Sequence, residues 1–385
     1  MPSFPIDSSR FASKLGSWLS TEGPENDVVL SCRVRLARNL ADHPFVSRLD
    51  PRGAQSVCDA LQEGLVHASI DGETFWIDMA EAPPVLRLML RERHLISRDL
   101  APMEEPADST PGGEGGSGSG LAGVGGSNGG LVGRAAAFGD SETVAVMVNE
   151  EDHLRLQGMS AGFDLDLACR RAQELDRKME SRVRFAFTEE LGYLTGCPTN
   201  VGTGMRASVM LHLPALSLVR SELEKVFTAA QRTGLAVRGT YGEGSRAAGD
   251  YYQISNQITL GRTEEQLIDD LRALVPKIID FERRVREALV REQRSALQDR
   301  VSRSYGMLRT ARAMPTDGAL AHLSNLRLGR HLGLLDAMSI DVLNELGVQI
   351  HKGHLQALSR PGDGEILDPS ERDRLRASLL RKRLG

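Results

Sequence analysis

The character of the chain changes at Gly261, and that change limits its fold more than any composition figure. Beyond it Leu267, Leu271, Leu274, Ile278, Phe281, Val285 and Leu289 recur at three- and four-residue intervals amid dense charge, the apolar stripe of an amphipathic helix. Pro276 lies inside the stripe and is expected to kink or restart the helix there. Helical patterning returns from Leu323 to Leu346 and from Asp368 to Leu384. Before Gly261 the apolar runs are short, at residues 28–36, 75–80, 85–90 and 143–148, with helical stretches at 55–68 and 165–179. Further strands are expected at 183–187, 208–213, 235–244 and 251–260. The expectation is a mixed α and β unit over residues 1–261 and a helical unit over 262–385.

With 385 residues, 41% of them hydrophobic, the chain can fill two cores. A net charge of -5 argues against non-specific nucleic-acid binding. Cys32, Cys58, Cys169 and Cys197 show neither CxxC spacing nor paired histidines, so no zinc site or disulfide framework is expected, and a reducing cytoplasm is the natural compartment. No run of about 18 apolar residues occurs, so a membrane span is not expected. Residues 111–133 are roughly half glycine and have no periodic apolar face, which points to a flexible insertion over about 101–139. Gly113, Gly115 and Gly118 satisfy GxGxxG there, but with no strand before and no helix after, the match is one of composition.

The stretch 184–214 carries chemistry instead. It places Cys197, the turn Gly202-Thr203-Gly204 and Arg206 within ten residues, so a thiol, accessible backbone and a permanent cation could meet one anion. Arginines recur elsewhere: Arg33 and Arg35 in SCRVRLARN, Arg155 in NEEDHLRLQ and Arg238 in VRGTYGEG. Each guanidinium can hold two phosphate oxygens and never loses its charge, so the set suits a triphosphate. Neither GxxxxGK[ST] nor the VAIK, HRD and DFG set is present. The acidic cluster Glu150-Glu151-Asp152 follows the apolar run 143–148 at a strand end. Glu150 and Asp152 read as a solvated loop, whereas Glu151 reads as chemical.

These segments together resemble the signature of the phosphagen (guanidino) kinases, covering about residues 27–285. The resemblance implies an α+β catalytic domain on an antiparallel sheet flanked by helices, with ATP and Mg2+ as phosphoryl donor complex. It implies nucleotide contacts at Ser31, Cys32, Arg33, Val34 and Arg35, at His94 and Arg155, at Arg206, Ala207, Ser208, Val209 and Met210, and at Arg238, Gly239, Thr240, Tyr241, Gly242 and Glu243. His94, beside Leu95 and Ile96, reads equally as a core histidine. A guanidinium with a pKa above 12 is not nucleophilic at neutral pH, so a carboxylate must deprotonate it. Glu151 is the leading base and Glu243 the orienting partner or second base. Cys197 matches the family's active-site cysteine, where a thiolate would steer the guanidinium; its plainer reading is a small buried hydrophobe. No protein side chain is assigned to the metal.

About thirty residues precede VVLSCRVRLARN, where small-molecule phosphagen kinases carry a helical domain, and the helices after 262 are foreign to them. Both departures match the bacterial protein-arginine kinases. In that family RDxxRA recognises phosphoarginine allosterically, and RDRLRA here supplies Arg372, Asp373, Arg374, Leu375, Arg376 and Ala377 on a helix opened by Asp368 and Pro369. Without the resemblance the same residues read as an ordinary basic helix. The resemblance further implies arginine side chains of proteins as substrates, a heat-shock repressor among them. It also implies a Clp-type AAA+ unfoldase and a zinc-binding activator as partners, and dimerisation through the helical unit. Rival readings are a kinase of free arginine or another small guanidine, and a non-catalytic phosphoarginine-binding adaptor.

Overall fold

The computed structural model describes residues 6–68, 70, 72–102, 129–239, 247–359 and 366–385. In chain order the elements are α1 (Ser8–Ser13), β1 (Val29–Arg38), α2 (Pro51–Ala68), β2 (Thr74–Asp78), α3 (Pro84–Glu92), β3 (Ala135–Gly139), β4 (Val144–Val148), β5 (Leu154–Ala161), α4 (Leu165–Glu180), β6 (Phe187–Thr188), β7 (Gly192–Tyr193), β8 (Met205–His212), α5 (Pro214–Leu218), α6 (Arg220–Arg232), β9 (Leu235–Gly239) and β10 (Tyr251–Asn256). Five helices follow: α7 (Glu264–Thr310), α8 (Thr316–His331), α9 (Ile340–Gln349), α10 (Lys352–Ser359) and α11 (Pro369–Leu384).

Eight strands form one sheet in the order β2-β3-β4-β5-β1-β8-β10-β9, and every neighbouring pair is antiparallel. The β6–β7 pair stands apart as a small hairpin. One face of the sheet is apolar: Cys32, Val34 and Leu36 of β1, Val146 of β4 and Val209 of β8 pack on α2, α4, α6 and the first half of α7. The other face carries a second core, in which Ile77, Phe138 and Met147 pack against α1, α3 and α10. That second core stops at β4. Toward β1, β8 and β10 the same face turns polar, because residues 31, 33 and 35 of β1 point there by the two-residue alternation of a strand.

Two expectations change here. Ala135–Gly139, counted within the glycine-rich insertion, is a fully buried strand; residues 103–128 lie outside the described ones. The small side chains of AAAF fit between β2 and β4, which is why the run reads as weakly patterned. The run 183–187 is not a strand in the main sheet; Phe185 makes one bridge to Leu40 and only Phe187 enters the hairpin.

The long helix also differs from expectation. α7 passes through Pro276 without a break, and its non-helical residue is Gln293 (φ -136°, ψ 31°). Leu274, Val275, Ile278 and Ile279 around the proline all lie in the sheet's core, so packing outweighs the hydrogen bond that proline removes. Beyond Gln293 the helix joins another core, where Val301 and Leu308 meet α8, α9 and α11. The first half of α7 thus packs in the sheet's core and its last turns in the helical one, with Leu289 and Leu297 sharing a small cluster across the break. α7 begins at a Thr263–Gln266 capping box, and α11 at Asp368, whose carboxylate accepts from the Ser370 and Glu371 amides at 2.9 and 3.0 Å. Among the described residues no helix is long and apolar enough to cross a membrane.

Glu282 fixes α7 to the sheet. It is fully buried, accepts from the Ala215 and Leu216 amides at the start of α5 at 3.0 Å each, and receives Arg286 Nε at 2.7 Å. Glu282→Ala should cost about 3–5 kcal/mol in denaturant unfolding, since it removes the partner of the buried Arg286 Nε and of two backbone donors.

Candidate active site

The polar face of the sheet is built by strand register. Arg35 of β1 stands directly opposite Arg206 of β8, and Ala37 opposite Arg155 of β5. Like charges directly across a ladder are destabilising, so local folding does not explain this arrangement. Arg35 carries the cost most plainly. Burial and then the cations of Arg33, Arg155 and Arg206 hold its pKa well below the usual arginine value, and its Nε is buried without a partner. Arg33, for the same two causes of burial and Arg155, is pulled down to about 10. Arg206 is lowered by burial and then by Arg238, which places Arg238 of β9 within the same field. Four strands thus aim cations at one surface, the layout of an anion site.

Arg35, Arg155, Arg206, Glu151, Cys197, Thr199 and Asn200 surround an open cavity of about 230 Å³. Arg155 bridges two carboxylates: Nη1 lies 2.7 Å from Glu150 Oε2, and Nη2 lies 2.9 Å from Glu151 Oε2. Glu151 is 43% exposed, whereas the Glu150 side chain is 2% exposed. The solvated loop expected for Glu150 and Asp152 is therefore wrong for both. Asp152 is fully buried and accepts from Asn39 Nδ2 and the Gly196 amide, each at 2.6 Å. It fastens the loop before Cys197 to the acidic turn, and that constraint sets the distance between Glu151 and Cys197. An acidic run in sequence does not reveal which member faces water; the turn after β4 decides.

Cys197 caps a single 3-10 turn, Pro198–Asn200, with its Sγ 3.1 Å from Thr199 Oγ1. Gly204 must be glycine. Its φ is 63°, and a Cβ there would sit 2.6 Å from the Ala37 carbonyl oxygen, so the strap 202–204 can lie flat on β1 beside the cavity. Thr259 secures the strap's other end, its hydroxyl donating to the Thr199 and Val201 carbonyls at 3.0 and 2.6 Å.

Further along the same face Ser31, Arg33, His94, Ser208 and Met210 line a second, smaller pocket with Trp18, Met159 and Gln253. Gln253 lies 3.4 Å from Arg33 Nη2. His94 stacks edge-on against Trp18 at 5.8 Å and has a positive φ of 59°. Burial, then Arg33, drives its pKa down to about 3. Sequence reading missed Trp18, Met159 and Gln253, although Gln253 is paired to Met210, which pairs with Ser31, so register alone would have found it.

The remaining expected residues divide. The side chains of Cys32, Val34, Ala207 and Val209 point to the opposite face, into the apolar core, and cannot touch a ligand on the arginine face. Alternation along β1 and β8 requires this, and a motif read as a continuous block hides it. Gly239 ends β9; Thr240, Tyr241, Gly242 and Glu243 lie outside the described residues. Of the C-terminal motif, Arg372 and Arg376 are buried, Ala377 is in the bundle core, Leu375 is partly buried and Arg374 is exposed. Arg376 Nε donates to Ile350 O at 2.8 Å, and its Nη1 to Met314 O at 2.7 Å and to Asp373 at 2.6 Å, so it ties α11 to the end of α9 and to the loop before α8. Among the described residues no group of three His, Cys, Asp or Glu side chains gathers.

Residues 55–285 match the family profile of the ATP:guanido phosphotransferase C-terminal catalytic domain. The chain belongs to the ATP:guanido phosphotransferase family. Residues 294–385 match a second profile, that of the protein-arginine kinase McsB C-terminal domain, which begins just after the α7 break at Gln293. The protein-arginine kinase of Geobacillus sp. strain WCH70 is 42% identical over 97% of this chain and 95% of its own length. That of Bacillus subtilis strain 168 is 41% identical over 96% and 93%. Among solved members of the family, lombricine kinase superposes with a TM-score of 0.53 at 24% identity, over 71% of this chain and 70% of its own. The duplicated taurocyamine kinase of Schistosoma mansoni, with bound transition-state analogue components, gives 0.53 at 26% identity, over 72% of this chain and 36% of its own.

His94 offers a test within this family frame. A histidine whose folded pKa lies near 3 against about 6.5 unfolded is neutral in the fold, so its contribution is complete above pH 6.5 and is lost as pH falls toward 3. His94→Asn keeps a residue tolerant of positive φ. Its unfolding free energy should fall less steeply between pH 6.5 and 4 than that of the wild type, by up to about 1.4 kcal/mol per pH unit.

Proposed function

We propose that the chain is an ATP:protein-arginine phosphotransferase, and the arginine-lined face ending at Glu151 and Cys197 is the observation that carries this reading. MgATP lies along β1, its base toward Trp18 and His94 and its phosphates on Arg33, Arg35, Arg155, Arg206 and Arg238. Charge neutralisation by fixed cations and in-line placement are what phosphoryl transfer needs. The acceptor guanidinium enters between Glu151 and Cys197. Glu151 takes its proton and leaves a nitrogen lone pair to attack the γ-phosphorus; that bond forms as the bond to the β–γ bridging oxygen breaks, and ADP departs. Glu243 holds the opposite side of the guanidinium or shares the base role. Arg155 contacts both Glu151 and the phosphate region, so it positions base and donor together.

The protein acceptor is supported by end-to-end similarity to protein-arginine kinases and by the C-terminal domain match. On the same grounds we place the chain in the cytoplasm, in stress-linked protein quality control. Its phosphoarginine marks would be read by a Clp-type unfoldase, with a heat-shock repressor among its targets and a zinc-binding activator as helper. The helical unit would dimerise, and Arg372 and Asp373 would sense phosphoarginine. Similarity to taurocyamine and lombricine kinases favours the rival small-guanidine acceptor. Incubation with γ-labelled ATP and either an unfolded protein or free arginine separates the two: acid-labile label on the protein is expected, and label on free arginine alone would overturn the assignment.

A further inference from the structure

Next to the reactive cavity, Phe187, Glu190, Leu191, Tyr193, Leu260 and Glu264 line an open groove of about 370 Å³ that plays no part in the chemistry above. Phe187 is 56% exposed, Leu191 41% and Leu260 50%, and Ile258, two residues before Leu260, is 63% exposed. Single exposed apolar side chains need no explanation, but Phe187, Leu191 and Leu260 gathered in one groove beside a reactive site mark an interaction surface. The floor is rigid. Tyr193 lies 3.5 Å beneath the Arg38 guanidinium, which is itself held by Asp176 at 2.6 and 3.0 Å and by the Thr203 carbonyl at 3.0 Å. Phe187 stands edge-on to Tyr193 at 5.3 Å.

The groove and the reactive cavity are two sides of one wall. Gly192 has φ 74°, and a Cβ there would lie 2.5 Å from the Gly202 carbonyl oxygen, so the β6–β7 hairpin is pressed against the strap that lines the cavity. The backbone of an arginine that reaches into the cavity over this wall would lie beside the groove. Its charge fits a cationic guest: Glu190 lines it, Glu189 is exposed next to it, and its own cation, Arg262, is spent on Asp270 at 2.6 Å.

We propose that this groove binds the polypeptide flanking the target arginine, and that it selects extended acceptor segments carrying an apolar side chain and further positive charge near that arginine. The inference rests on the protein-arginine reading and adds its substrate class. The test uses the full chain, MgATP and two synthetic peptides with one arginine each, flanked by leucine and lysine in the first and by serine and glycine in the second. The wild type should show a kcat/KM about 10-fold higher for the first peptide. Phe187→Ser/Leu260→Ser should remove that advantage through KM, leaving the second peptide's constants and the KM for ATP unchanged; Glu190→Lys should weaken the first peptide alone. Equal wild-type rates on both peptides would overturn the docking proposal, as would a double variant that loses both alike or that changes only the oligomeric state. A wild type active on free arginine and on neither peptide would overturn the protein-arginine reading itself.

Discussion

Glu151→Gln is expected to lower kcat for phosphoryl transfer by about 10²–10⁴-fold, the range in which a positioned base contributes, with the KM for ATP little changed. The amide keeps the size of the side chain and an oxygen that can still accept from Arg155, but it cannot take a proton from the acceptor. The surroundings favour this carboxylate over its neighbours. Glu150 is buried against Arg155 and Asp152 is buried on Asn39 and Gly196, so of the three only Glu151 opens into the cavity. Single-turnover rates for Glu151→Gln and Glu243→Gln decide the roles: full activity in the first with loss in the second would move the base to Glu243.

Arg35→Met is expected to act in opposite directions on function and on stability. Removing one cation of the phosphate cradle should reduce kcat/KM by about 10³-fold or more, as loss of an arginine does in phosphoryl transfer generally. The unliganded protein should become no less stable, and by about 0.2–1 kcal/mol more stable, because the Arg35–Arg206 cross-strand repulsion is gone. The sign follows from the lowered pKa values. A cation whose folded pKa is depressed is disfavoured in the fold while it stays charged, so the cost is present at neutral pH; for Arg33 it is relieved only as pH rises past about 10. Thermal melting with and without MgATP reads both signs together. A variant that lost stability and activity in parallel would make Arg35 a structural residue and refute the cradle.

The gathering of cations was legible in the sequence, where residue type alone carries it. Arg33, Arg35, Arg155, Arg206 and Arg238 recur in short motifs and share one face of the sheet, and the capping acid Asp368 announces its helix. Facing was less legible. Cys32, Val34, Ala207 and Val209 sit inside the motifs yet face the core, a matter of strand alternation that a block of sequence conceals. Glu150 and Asp152 look like loop acids and are buried anchors, because the partners that bury them, Arg155 and Asn39, lie on other elements. The hydrogen bonds of Arg376 to Ile350, Met314 and Asp373 were not legible, because two of those partners lie outside its own helix. Pro276 suggests a break, but the helix continues because its neighbours fill the sheet's core, and the break falls at Gln293 where that core ends.

The most direct measurement is the position of the transferred phosphate. An unfolded protein substrate incubated with the wild-type chain and MgATP, then digested and analysed by mass spectrometry at neutral pH, should carry phosphate on arginine side chains, and the same digest after Glu151→Gln should carry almost none. Phosphate on serine or tyrosine and none on arginine would contradict a guanidinium-phosphorylating site at this face of the sheet.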